Sequence, residues 1–187
     1  MRNGIQISSL KYAVNFDHNA LVSGMARTLA QRGIAVKSEP ILPGGKRADL
    51  AIDIGKTWTY IEVKTRSNRV LNQGRRVSFR QDLLREILRL RAHSMKQLPK
   101  KQTSLMVLAT SASPTRREAI SKIAIARSFG DRIFDHDSEK VLGLMIFAPF
   151  RNPSQLHKSW RYASAIIVNP KWQANEKSLE KLKGIQL

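Results

Sequence analysis

Two short apolar runs, residues 48–54 and 58–65, are separated only by Gly55-Lys56-Thr57. Runs of this length with a Gly-containing connection read as two strands of a β-hairpin. Side chains on a strand alternate between faces. Asp49, Ala51 and Asp53 therefore share one face of the first strand, and Leu50, Ile52 and Ile54 the other. In the second strand Ile61 and Val63 face one way, Glu62 and Lys64 the other. If the apolar faces lie together, Asp49, Glu62 and Lys64 all fall on the same polar side. Charges inside apolar strands are costly unless they pair or bind metal. Two carboxylates beside a lysine make a site for a hard divalent cation, Mg²⁺ or Mn²⁺, which keeps several waters and accepts one or two carboxylates plus substrate phosphates. The plainer reading is a surface Glu–Lys pair with Asp49 on a turn, but such a pair needs no acid from the preceding strand.

The rest of the chain alternates. Asp17 caps a helix to about residue 32 with Gly33 as its stop, and 34–42 reads as a strand followed by the turn Pro43-Gly44-Gly45. Ser78 to Gln81 is a capping-box pattern opening a long helix that ends before Pro99, and Thr115 to Glu118 is a second, opening a helix to about residue 129. Residues 103–110, 141–147 and 163–168 read as buried strands, and 175–187 as a short amphipathic helix. Helix, three strands, helix, strand, helix and one or two more strands predict an α/β sheet covered by helices, in a single domain over 1–187.

Charge narrows the function. The 187 residues carry 33 Lys and Arg against 14 Asp and Glu, a net charge of +19, so a polyanion is the expected partner, nucleic acid before an anionic membrane. No strongly basic amphipathic helix stands apart from the folded pattern, which disfavours the membrane. The absence of cysteine excludes disulfide scaffolds, thiol nucleophiles and iron–sulfur clusters. There is no signal-peptide pattern, so the expected location is cytoplasmic. No Walker loop, dinucleotide fingerprint or Ser-His-Asp arrangement is present.

Asp49, then twelve residues, then Glu62-Val63-Lys64 on consecutive strands after an N-terminal helix and strand resembles the PD-(D/E)xK nuclease superfamily. The resemblance covers about residues 17–110 and leaves 111–187 as variable additions. It implies a restriction-endonuclease-like mixed sheet core in the order αβββαβ, flanked by helices. It implies a metal-dependent DNA endonuclease in which Asp49, Glu62 and the Val63 carbonyl bind Mg²⁺ or Mn²⁺. Lys64 would orient or deprotonate the attacking water, and cleavage would leave a 5′-phosphate. Ala48 stands where the family's name has a proline. Many members carry a further acid on the first helix; this helix has no Glu, and Asp17 or Glu39 would have to stand in. Cutting both strands of a duplex usually needs two active sites, so a homodimer is the expected assembly. The competing expectation is a non-catalytic basic DNA- or RNA-binding module on a nuclease-like scaffold.

Residues 65–102 hold eleven bases and two acids, starting directly after the motif. Arg66, Arg69, Arg75 and Arg76 in the following loop, and Arg85 and Arg89 one turn apart on the next helix, are the expected phosphate contacts. Gln81 resembles a glutamine that some branches of the superfamily place on this helix. Chance explains it more simply. Asp131, Asp135, His136 and Asp137 read as a solvated connection rather than a metal loop, and Trp160 as a candidate for base stacking. His18 and His93 have no partners at ligand spacing along the sequence.

Overall fold

The computed structural model of the protein describes residues 6–8, 17–54, 58–65, 79–98, 102–134, 140–150 and 161–172. Among these residues three helices pack on a seven-stranded mixed sheet. Helix α1 (His18–Gln31) starts at Asp17, whose side chain accepts a hydrogen bond from the Ala20 N–H at 2.6 Å, and the chain leaves it through Gly33 at φ 74°. Strands β2 (Val36–Ser38), β3 (Leu50–Asp53) and β4 (Trp58–Thr65) follow, then α2 (Phe79–Gln97) and β5 (Thr103–Ala109). Helix α3 (Arg116–Arg127) is capped by Thr115, which accepts from Glu118 N–H, and a 3₁₀ turn (Gly130–Ile133) follows it. Strands β6 (Val141–Phe150) and β7 (Arg161–Val168) complete this succession, and β1 (Gln6–Ser8) precedes it in the chain.

The strand order is β1-β7-β6-β5-β4-β3-β2. β4–β5 and β5–β6 are parallel pairs, each bridged by a helix, and the other pairs are antiparallel. Continuous apolar runs suit strands buried on both faces, and every residue of β6 is buried. One face of the sheet packs Leu50, Ile52, Ile61, Val63, Leu105 and Val107 against Leu21, Met25 and Leu29 of α1. The other packs Met106, Leu108, Leu144 and Ile146 against Leu83 and Ile87 of α2 and Ala119 and Ile123 of α3. The sheet is thus sandwiched between α1 on one side and α2 with α3 on the other.

Three expectations need revision. The strand expected over 34–42 is only Val36–Ser38, because Glu39 turns to a positive φ of 47° and ends it; beyond that, Ile41 and Arg47 form an isolated bridge. β1, antiparallel to β7, was not expected at all, its three residues being too few for an alternation pattern. β6 runs three residues past Phe147, through Pro149, which a central strand normally excludes. The expected helix over 175–187 lies outside the described residues, as does Trp160.

Candidate active site

In the β3–β4 hairpin Leu50 lies opposite Ile61 and Ala51 opposite Tyr60. Continued by one residue, this register sets Asp49, just before β3, opposite Glu62. Alternation along β4 buries Thr59, Ile61 and Val63 and turns Glu62 and Lys64 the other way. Asp49, Glu62 and Lys64 line one open cavity of about 480 Å³, together with Val63 and Thr65. Its remaining wall comes from the helices: His18 of α1, and Glu86, Arg89, Leu90 and His93 of α2. The α2 residues are spaced i, i+3, i+4 and i+7, the spacing that puts one helix face against a surface.

Both Asp49 oxygens are engaged. Oδ2 accepts the Val63 backbone N–H at 2.7 Å, and Oδ1 lies 3.1 Å from His18 Nε2. Glu62 Oε1 lies 3.1 Å from His93 Nε2, and the side-chain amide of Gln97 meets the same ring nitrogen. Glu62 is only 20% exposed. That burial, reinforced by the negative charge of Asp49 and opposed by Lys64, raises its pKa from 4.5 to about 7. Two acids whose joint ionisation is resisted this way are relieved by a positive charge between them. Arg89, on the rim, donates to Glu86 Oε1 at 3.1 Å, and both remain within one turn of their own helix.

The donors fit a hard cation in kind: two carboxylates on neighbouring strands, with waters or phosphate oxygens left to complete the shell. Among the described residues no group of three or more His, Cys, Asp or Glu side chains is arranged to hold a metal by itself.

The two expected stand-ins for a further acid are elsewhere. Asp17 caps α1, and Glu39 is largely exposed, 3.7 Å from Arg47. Neither lines the cavity. The acid that α2 supplies is Glu86, which sequence reasoning missed. Arg85, 57% exposed and 3.9 Å from Asp82, lines a second, shallower concavity along α2 with Gln81, and Arg89 borders both. Arg66, Arg69, Arg75, Arg76, Asp135, His136 and Asp137 lie outside the described residues. His18 and His93, which have no partners at ligand spacing along the sequence, each meet one of the two carboxylates in the fold. No helix among the described residues is long and apolar enough to cross a membrane.

No protein-family model matches the chain, and no curated protein does. Among solved structures it is similar to SfsA of Pyrococcus furiosus in complex with Ca²⁺, at a TM-score of 0.36 and 16% identity. The match covers 79% of this chain and 62% of SfsA. A likeness of that extent fixes neither the fold family nor the activity.

Proposed function

We propose that the chain is a metal-dependent DNA endonuclease with a restriction-endonuclease-like core of the PD-(D/E)xK type. The observation that carries this reading is the convergence of Asp49, Glu62 and Lys64 in one cavity. Asp49 and Glu62 would hold Mg²⁺ or Mn²⁺. When bound, such a cation supplies a water acidic enough to attack near neutral pH and neutralises charge on the phosphate.

The remaining work belongs to the chain. The Val63 N–H and His18 keep Asp49 from rotating, so one donor is fixed before any ligand arrives. Glu62, whose burial beside Asp49 favours its neutral form, would have to be ionised to hold a cation, which would tie occupancy of the site to pH. Lys64, an exposed cation on the same strand face, stabilises negative charge building on the scissile phosphate or orients the water that attacks it. Arg85, Arg89 and the basic segment after β4 grip flanking phosphates, and the net charge of +19 draws DNA to the surface.

The test uses supercoiled plasmid with Mg²⁺ or Mn²⁺, in parallel with EDTA. The wild type nicks or linearises it only with the cation, and Lys64→Ala loses that activity by about 100-fold or more, the size of losses for a removed charge-stabilising group. Identical behaviour of wild type and Lys64→Ala refutes the enzymatic reading. The large excess of positive charge supports one other reading, a basic DNA- or RNA-binding module without turnover. It predicts tight plasmid binding and no cutting with either cation.

A further inference from the structure

Asp17 is engaged in capping α1. The neighbouring residue, His18, is what α1 sends into the cavity. From the opposite face of the sheet, α2 sends His93. We propose that His18 and His93 are positioning residues, each imidazole fixing the orientation of one of the two carboxylates, Asp49 and Glu62. The inference rests on the reading of that pair as the cation-holding acids.

The geometry at Asp49 is the more complete. His18 Nε2 lies 3.1 Å from one oxygen and the Val63 N–H is 2.7 Å from the other, so rotation of the carboxylate breaks at least one contact. An ionised carboxylate has about four acceptor sites on its two oxygens, and two donors leave the others open to a cation. At the longer Glu62 the restraint is a single contact: His93 Nε2 lies 3.1 Å from Oε1, and the Gln97 amide meets the same ring nitrogen. The rings are 40% and 55% exposed, so water could solvate either one, and burial alone does not force them onto the acids. They also reach the site from helices on opposite faces of the sheet, so one helix shift cannot account for both contacts. Partners that orient metal-binding side chains in this way typically change metal affinity by about 10- to 100-fold when removed.

Mn²⁺ binding to the full chain, followed by electron paramagnetic resonance without DNA, tests this. His18→Ala and His93→Ala each weaken binding by about 10-fold or more, while His18→Gln and His93→Gln, which keep an N–H donor at similar reach, restore most of it. The spin-echo spectrum of wild type shows no nitrogen bound directly to Mn²⁺. Far-ultraviolet circular dichroism confirms that each variant is folded, as expected for changes at helix positions outside the two apolar cores. Unchanged affinity in both Ala variants overturns the proposal, and so does a directly bound nitrogen that disappears in either one, since the ring would then be a ligand. If the wild type binds no Mn²⁺, the cation-site reading falls along with this one; tight binding indifferent to both histidines removes this one alone.

Discussion

Glu62 carries the site's clearest electrostatic signature. Its pKa in the folded chain, about 7, stands above the ordinary 4.5, so the folded state binds its proton more tightly than the unfolded state does. Stability from this group is therefore fully present below pH 4.5 and is lost as pH rises through 7. The span corresponds to about 3 kcal/mol. Urea unfolding in EDTA at pH 5 and pH 8.5 should show wild type losing stability relative to Glu62→Gln by an amount of this order. Parallel profiles would mean that Glu62 is not held between burial and Asp49. At this scale the sequence was legible where the signal is local. Period-two alternation was enough to place Glu62 and Lys64 on one strand face. Nothing local pairs His18 with Asp49 or His93 with Glu62, because each pair lies 31 positions apart and meets only once a helix docks on the sheet.

Helix and strand boundaries followed their chemistry. The caps at Asp17 and Thr115 were readable because their side chains bond backbone N–H groups within three residues. The premature end of β2 at Glu39 was not, since a single residue in the left-handed region leaves no mark when it is not glycine. Asp17 separates two roles that the sequence left open. As a cap it contributes about 1 kcal/mol to stability. Asp17→Ala should lower stability by that amount while divalent-dependent plasmid cutting persists; loss of cutting with stability intact would restore Asp17 as a functional acid. The spacing of Glu86, Arg89 and His93 along α2 was present in the sequence too. Without knowing which face of α2 meets β4, Glu86 and His93 could not be told from a solvated surface, and only Arg89 was singled out, for its charge.

Across the whole molecule, charge and topology point the same way. The parallel pairs β4–β5 and β5–β6 send both connecting helices, α2 and α3, to one face, and the end of β4 that bears Glu62 and Lys64 opens beneath α2. The mixed α/β architecture was readable from element order, whereas strand order was not, because no residue marks which strands become neighbours. The excess of 19 positive charges makes an ionic-strength prediction. If roughly six phosphates are neutralised, log affinity for duplex DNA in EDTA falls against log salt with a slope of about −5. A flat dependence would remove the basic surface from DNA binding.

The central claim is that Asp49 and Glu62 hold one divalent cation between neighbouring strands. Anomalous diffraction from crystals of the protein soaked in Mn²⁺ tests it directly. The account predicts a peak bonded to an oxygen of each, at about 2.0–2.1 Å by analogy with Mg²⁺, and absent from Asp49→Asn crystals. A peak elsewhere, or one that survives that substitution unchanged, would contradict it.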